Sequence, residues 1–502
     1  MSQNQAYQRL RKHFRQLCNL QHLGGIASWD EAVMMPVGGI KPRAEAIAEL
    51  QVMINEMLCD PRLPEWLAEA RAGVKENEKW ALANLREMAR EVDQATAVEA
   101  SLVEAKTRAS LFCEQAWREL RPKNDWQGLL PKLEEVVHLT RKEAEQRSSH
   151  CGLGLYDSLM DLYEPGMRSE KVDVLFSELK SFLLDFIKKV VEKQKSEDFK
   201  PFQGLFSIES QRQLSLEVMK IIGFDFNRGR LDVSHHPFCG GVAQDVRITT
   251  RYSKENFSES LLSVMHETGH AVYEQGLPQD WLYQPVGASR SIGIHESQSL
   301  LFEMQVGRSF HFLCFVSEIF RRHLGGAHPH NDWSADNLYR CFTRVKPDYI
   351  RVQADEVTYP VHVILRYEIE KDLIEGAVEV KDLPEIWNQK MQEYLGLSTE
   401  GKDKDGVMQD VHWMKGAIGY FPTYTLGAMN ATQIFQAVFR QHSNLLEDLE
   451  KGDLSQLRTW LSEKIWSYGC YFEVKDLMCH ATGEELNPKY FEHHLQYRYL
   501  DR

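Results

Sequence analysis

The pentapeptide His266-Glu267-Thr268-Gly269-His270 is the one place in this sequence where a few residues at fixed spacing imply a definite chemistry. Apolar residues recur around it at helical spacing from Asn256 to Gly276, so we predict that the motif lies inside a helix. Two residues four positions apart project from the same face of a helix, so His266 and His270 can offer two imidazole nitrogens to one metal ion. Glu267 points partly away from that pair. From there its carboxylate can act on a metal-bound water as a general base.

A five-residue motif also has a less specific interpretation, in which two histidines lie on the exposed face of a helix. The residues on both sides of this motif are apolar, from Leu261 to Met265 and at Ala271 and Val272, which indicates a buried helix. Two buried imidazoles without partners would be costly, so the metal interpretation is favoured.

A catalytic zinc ion usually takes three protein ligands and leaves one position for water. A third histidine six positions after His270 is excluded, because that position is Gly276. The nearest downstream carboxylates are Glu274, Glu296 and Glu303. Glu274 lies on the same helix, where it would reach the metal only with strain. Glu296 lies at the edge of the next apolar segment, 297–310, and a second helix packed against the first can deliver it, so we prefer Glu296 as the third ligand.

Length, composition and charge limit the class of protein to which this chain can belong. A chain of 502 residues with 43% hydrophobic residues can bury a large core, and a large helical enzyme can form one continuous unit. The net charge of -14 argues against a nucleic-acid or anionic-membrane surface. Nine scattered cysteines without CxxC pairs, and no long apolar segment, favour a soluble cytoplasmic protein.

Helical periodicity dominates the chain and predicts a mostly α fold. The predicted helices span residues 5–28, 42–59, 79–120, 126–147 and 169–195. We expect a single catalytic domain over 1–502, in which 1–200 form a helical arm or lid and 201–502 form the core around the metal.

The helical pattern is interrupted between Asn227 and Arg251. Glycines and a proline divide this stretch into short segments, and Val242 to Thr250 alternates like a strand, which predicts a small β-hairpin just before the metal helix. The edge of such a hairpin could bind an extended peptide through main-chain hydrogen bonds, although a simple connecting hairpin is the alternative.

Two further stretches contain residues suited to binding a substrate. In the first, Arg351 could clamp a carboxylate, or it could form an ion pair with Asp355 or Glu356. In the second, His412 precedes a run of aromatic residues from Gly419 to Tyr424. A histidine and a tyrosine near a metal can stabilise an oxyanion, but aromatic residues at this density usually form core.

These motifs occur together in a fixed order, and the ordered set resembles the carboxypeptidase Taq family of metallocarboxypeptidases. The matching motifs are His236-Pro237-Phe238, Asp245 to Thr249, His266 to His270, His295 to Gln298, Ile350-Arg351 with Ala354-Asp355, and Gly406 through Trp413. The resemblance covers nearly the whole chain and is far more specific than the metal motif alone.

The resemblance implies an almost entirely helical, clam-shaped fold with a deep groove, related to the angiotensin-converting enzyme and neurolysin type of peptidase. Similar enzymes bind one zinc ion per subunit, or cobalt in some members, through the positions of His266, His270 and Glu296. Glu267 matches the general base. Members are commonly homodimers.

The resemblance also assigns residues that contact the substrate. The hairpin carrying His236, Asp245 and Arg247 is expected to bind the substrate strand. Other positions that line the site are Arg351, His412, Tyr420 and Tyr424. Tyr424 is preferred as the tyrosine that faces the oxyanion, and Arg351, with Arg247 second, as the residue that holds the C-terminal carboxylate.

The predicted function is a metal-dependent carboxypeptidase of broad specificity that releases single amino acids from peptides with a free C-terminus. Zinc-bound water would be activated by Glu267. Neither nucleic acid nor membrane is an expected partner. An oligopeptidase or endopeptidase using the same zinc site, and a non-catalytic helical peptide-binding module, are the alternatives.

Overall fold

The fold is given by a computed structural model that describes residues 3–502. In this range the chain forms twenty α-helices and one three-stranded sheet. The helices are α1 (Gln3–Val33), α2 (Ile40–Leu58), α3 (Leu63–Gly73), α4 (Lys79–Thr96), α5 (Ala100–Leu120), α6 (Trp126–Cys151), α7 (Leu155–Met160), α8 (Ser169–Lys195), α9 (Ile208–Ile222), α10 (Phe257–Gln275), α11 (Ile292–Leu300), α12 (Phe310–Phe320), α13 (Ala335–Phe342), α14 (Tyr359–Ile374), α15 (Leu383–Leu395), α16 (Pro422–Gln441), α17 (Leu445–Glu450), α18 (Ser455–Lys464), α19 (Val474–Thr482) and α20 (Lys489–Gln496). Within the same residues, no helix is both long enough and apolar enough to cross a bilayer.

The helix that carries the metal motif is α10, which confirms the prediction of a helix over 256–276. Its N-cap is Asn256, whose side-chain oxygen accepts a hydrogen bond from the Ser258 N–H, and it ends just before Gly276. An asparagine in this position satisfies one of the free N–H groups of the first turn, so the start of the helix is fixed by its own sequence.

The second helix of the site, α11, begins five residues before the apolar segment from which it was predicted. Its N-cap is Ser291, whose hydroxyl accepts the Ile294 N–H. The polar pair His295-Glu296 interrupts the apolar spacing, so the pattern did not indicate that the helix begins at Ile292. Glu296 therefore lies within α11 rather than at its edge, and a π-helical stretch, Leu301–Val306, extends the helix.

The predicted hairpin is present, and a third strand joins it. The strands are β1 (Gly229–Val233), β2 (Phe238–Val242) and β3 (Asp245–Thr250), in the order β1-β3-β2, with β2 antiparallel and β1 parallel to β3. Val246 and Ile248 on β3 are fully buried in the same core as α10. The sheet is thereby fixed beside the helix that carries the metal motif.

Among the residues that the structure describes, apolar side chains form three cores. The largest contains residues of α9, the sheet, α10 and α12 and extends to α19. The second joins α5 to α8 with α14 and α15, and the third lies within α1, α3 and α4. The fold class is therefore mostly α, as predicted, while the division at residue 200 stays a prediction.

Candidate metal centre and active site

The two histidines of the motif and Glu296 come together in one cluster. A ligand atom of each lies within 4.8 Å of the others. Glu296 Oε2 is 3.6 Å from His266 Nε2 and 3.3 Å from His270 Nε2. Two donor atoms of a tetrahedral zinc site with bonds of 2.0–2.1 Å are separated by about 3.4 Å. Two imidazole nitrogens and one carboxylate oxygen at this spacing fit a single divalent metal ion.

Close helix packing places Glu296 in the cluster. A Cβ atom added at Gly269 of α10 would lie 2.5 Å from the Gln298 carbonyl oxygen of α11. On the other side, a Cβ added at Gly427 of α16 would lie 2.8 Å from the Glu296 side chain. The absence of a side chain at both positions lets α11 approach its neighbours closely enough for Glu296 to reach the histidines.

Glu303 orients His266. Its Oε2 lies 2.9 Å from His266 Nδ1, and its Oε1 accepts a 2.9 Å hydrogen bond from Arg308. When the Nδ1–H donates a hydrogen bond to this carboxylate, Nε2 is the nitrogen left to bind a metal. The sequence spacing allowed Glu303 as a metal ligand, whereas in the structure it lies behind one of the ligands, His266.

His270 is oriented by packing. Its ring stacks on His295 with 4.4 Å between ring centroids, and its buried Nδ1 has no hydrogen-bond partner among residues 3–502. His295 Nε2 in turn lies 2.8 Å from Glu274, which also accepts a hydrogen bond from Ser289. Glu274, the other carboxylate considered as a ligand, is therefore engaged with His295.

Burial tunes the titratable groups of the centre. Burial raises the pKa of the Glu267 carboxyl to about 7, so this group can take up and release a proton near neutral pH. Burial together with the neighbouring His295 lowers the pKa of His270 to about 4, so its imidazole is neutral and can offer a lone pair. Although burial acts in the opposite direction, His266 and His270 hold the pKa of Glu296 below its usual range.

His412, Tyr420 and Tyr424 form a second cluster beside the first. The Tyr424 hydroxyl lies 3.1 Å from His412 Nε2, and the Tyr420 ring is 5.3 Å from that of Tyr424. Burial and the Glu296 carboxylate both raise the pKa of Tyr420, to about 12, and they also raise that of Tyr424. The two phenols are thus protonated at neutral pH, close to a residue of the metal cluster, and able to donate hydrogen bonds.

Arg351 is buried against this second cluster. Its Nε and Nη2 donate to one oxygen of Asp410 at 3.1 and 2.8 Å, and its Nη1 donates to the Tyr359 hydroxyl at 3.1 Å. Its guanidinium carbon lies 4.8 Å from the Tyr424 ring centroid. The alternative of an ion pair with Asp355 or Glu356 is wrong, because the partner is Asp410.

The predicted substrate residues of the sheet are engaged with α1 or exposed to solvent. Arg247 forms a bidentate pair with Asp245, at 2.9 Å for both bonds, and stacks 4.3 Å from the ring of Trp29 in α1. His236, in the β1–β2 connection, is exposed. The structure directs Asp245 and Arg247 towards α1, so their role with substrate stays a prediction.

The segment from α7 to Glu164 connects the two clusters. Glu164 is fully buried and accepts hydrogen bonds from the Gly293 N–H at 2.9 Å and from the Ser291 hydroxyl at 3.1 Å, which caps α11. Tyr163 packs edge-on against Tyr420 with 5.0 Å between centroids. Sequence reasoning missed these residues because their partners lie far away along the chain.

The fold is mostly helical, and two packed helices bring together two histidines and a glutamate. These features define the class of helical metallopeptidases. Comparison with known proteins agrees, since the family model described as carboxypeptidase Taq (M32) metallopeptidase matches residues 9–499. The chain belongs to the carboxypeptidase Taq (M32) family, which confirms the resemblance found in the sequence. Membership makes it a metallocarboxypeptidase, a peptide hydrolase that requires a metal.

Known relatives align with almost the whole of this chain. Thermostable carboxypeptidase 1 of Thermus thermophilus is 36% identical, with 99% of each chain covered, and carboxypeptidase 1 of Bacillus subtilis is 35% identical, with 97% and 95% covered. Among solved structures, Trypanosoma cruzi metallocarboxypeptidase 1 superposes with a TM-score of 0.96 at 42% identity, covering 99% of this chain and 100% of the other.

Proposed function

We propose that this protein is a zinc carboxypeptidase of broad specificity that releases single amino acids from the free C-termini of peptides. The observation that carries the proposal is the convergence of His266, His270 and Glu296 beside the buried Glu267. A bound zinc ion, or cobalt as an alternative, would supply Lewis acidity that polarises a carbonyl and lowers the pKa of water.

Glu267 is the general base and acid in this proposal. With a pKa of about 7 it can accept a proton from the attacking water and return it to the leaving amine. His412 and Tyr424, which are hydrogen-bonded to each other, stabilise the oxyanion that develops on the scissile carbonyl, and Tyr420 lies beside them.

Arg351 is the residue we assign to the C-terminal carboxylate of the substrate. Arg351 and Arg366 both pair with Asp410, which leaves one guanidinium charge without a compensating carboxylate in this buried group. Such an excess of positive charge favours an incoming carboxylate. Arg247 is the weaker candidate, since Asp245 and Trp29 already engage it.

The test compares a peptide that has a free C-terminus with its C-terminal amide, with zinc and cobalt supplied in turn. Glu267→Gln is the inactive control, and Glu259→Gln, an exposed position of the same helix, is the matched control. Sequential release of amino acids from the free peptide only supports a carboxypeptidase. Internal cleavage of both peptides assigns an oligopeptidase, and metal binding without cleavage assigns a peptide-binding module.

We further infer a homodimer in a reducing, cytoplasmic compartment, with residues 1–200 as a lid over the core. The nine cysteines are all free thiols, which supports the compartment. Sedimentation velocity on the purified protein tests the dimer, and a monomer at micromolar concentration would contradict it.

A further inference from the structure

The residues 396–421, between α15 and α16, carry both His412 and Tyr420 and form no regular helix or strand. Many of their side chains are nevertheless buried, including Met408, Trp413 and Phe421. A long irregular segment gains its precision from hydrogen bonds to rigid elements nearby.

Helix α14 holds this segment at two points one helical turn apart. Arg366 donates a 2.7 Å hydrogen bond to Asp410, two residues before His412. Glu370, which has no exposed surface, accepts hydrogen bonds from Trp413 Nε1 at 2.9 Å and from the Gly419 N–H at 3.2 Å. Trp413 directly follows His412 and Gly419 directly precedes Tyr420, so one carboxylate is bonded to the chain neighbours of both residues.

The surroundings leave Glu370 little freedom. Its Oε2 also accepts a 3.0 Å hydrogen bond from the Tyr156 hydroxyl of α7. Gly419 has φ of +91°, and a Cβ there would lie 2.8 Å from the Met160 backbone nitrogen, so this part of the chain lies directly against α7. Glu370 thus fixes the segment from the side of α14, and α7 fixes it from a second side.

We propose that Glu370 is a positioning residue that sets His412 and Tyr420 in register with the metal cluster. This inference rests on the oxyanion role proposed above for the second cluster. Both oxygens of the Glu370 carboxyl group accept hydrogen bonds, Oε1 from Trp413 and Oε2 from Gly419 and Tyr156. An amide of the same shape has a single oxygen, so its NH2 group would face a donor and that hydrogen bond would be lost.

The variant Glu370→Gln tests the inference, with Glu368→Gln as the matched control. Glu368 lies on the same helix and accepts from Lys180, Lys390 and Tyr394, away from the site. We expect Glu370→Gln to lower kcat about 10- to 100-fold, the effect of a small misplacement of catalytic groups. We expect KM, metal affinity and the rates of the control to stay within about twofold of wild type.

A double-mutant cycle separates positioning from general loss of structure. Trp413→Phe removes one donor, and the pair Glu370→Gln with Trp413→Phe should lose no more activity than Glu370→Gln alone, because both changes break the same link. Additive losses, an unchanged kcat, or a kcat loss that matches a loss of folded or metal-loaded protein would overturn the proposal.

A crystal structure of the Glu370→Gln protein keeps this test separate from the proposed function. Displacement of His412 relative to Tyr420 would support the positioning role even if the wild-type protein released no amino acids. Unchanged positions of both residues would overturn it even if the wild-type protein proved to be a carboxypeptidase.

Discussion

His266 Nδ1 lies 2.9 Å from Glu303, and Nε2 of the same ring lies 3.6 Å from Glu296. The two glutamates are seven residues apart on α11 and the π-helical stretch that extends it, so they lie near the same face. One helical segment therefore addresses both nitrogens of a single imidazole. Glu296 lies with His266 in the metal cluster, and the contact with Glu303 favours the tautomer of His266 that carries its proton on Nδ1.

Removing the charge of Glu303 should weaken metal binding. We expect Glu303→Gln to reduce zinc affinity about 10- to 100-fold, because the amide no longer holds the His266 Nδ1 proton as firmly. Competition with a chromophoric chelator measures this affinity directly. The matched control is Glu318→Gln, an exposed residue that pairs with Arg321, and it should bind zinc like wild type. Equal affinities in all three proteins would refute the orienting role.

Substitution of the tyrosines should show which one stabilises the oxyanion. Tyr424→Phe removes the hydroxyl that lies 3.1 Å from His412, and we expect kcat to fall about 100-fold, the usual effect of losing one oxyanion donor. Tyr420→Phe should have a smaller effect. Steady-state kinetics on a free-C-terminus peptide measures both. A larger loss for Tyr420→Phe would reverse the assignment.

An added methyl group at Gly269 should separate α10 from α11. We expect Gly269→Ala to destabilise the protein by about 1–3 kcal/mol and to weaken metal binding, because its Cβ would meet the Gln298 carbonyl oxygen. Gly25→Ala is the control, since no atom lies within 4 Å of the added Cβ, and it should stabilise α1 by about 0.5–1 kcal/mol. Urea unfolding of the three proteins compares these free energies, and equal stabilities would contradict the tight packing.

The ion pairs of Asp410 with Arg351 and Arg366 predict how the stability of the protein responds to acid. Although burial acts in the opposite direction, Arg351 and Arg366 hold the pKa of the Asp410 carboxyl well below its usual range. The folded state then binds fewer protons than the unfolded state below pH ~4, so this stabilisation is complete above that pH and is lost as the pH falls. Relative to Asp410→Asn, wild type should lose about 1.4 kcal/mol of unfolding free energy per pH unit below pH ~4.

Urea titrations between pH 7 and pH 3 test this response. The difference in unfolding free energy between wild type and Asp410→Asn should be constant from pH 7 to about 5 and should then shrink. A difference that does not change with pH would show that the pair contributes nothing to stability through its charge.

Local sequence patterns were sufficient to predict part of this fold and of the metal centre. Helical spacing predicted α10, alternation predicted the β2–β3 hairpin, and the geometry of neighbouring helices favoured Glu296, which does lie beside the histidines. The start of α11 was misplaced because the polar pair His295-Glu296 interrupts the apolar spacing after Ile292 and Ile294.

The supporting carboxylates could not have been predicted in the same way. Asp410 is 59 positions from Arg351, and Glu164 is 129 positions from Gly293. Burying a charge is costly unless hydrogen-bond donors surround it. For these residues the donors come from remote parts of the chain, so no spacing within a short window could reveal them.

The capping of α11 by Glu164 has a consequence for the evolution of the chain. Glu164 and Tyr163 belong to the first two hundred residues, yet they hold the helix that bears Glu296 and the ring of Tyr420. A polypeptide of residues 201–502 would contain every proposed reacting group and still lack the supports that assemble them. Residues 1–200 are thus no exchangeable module, and the two parts of the chain must be inherited and must change together.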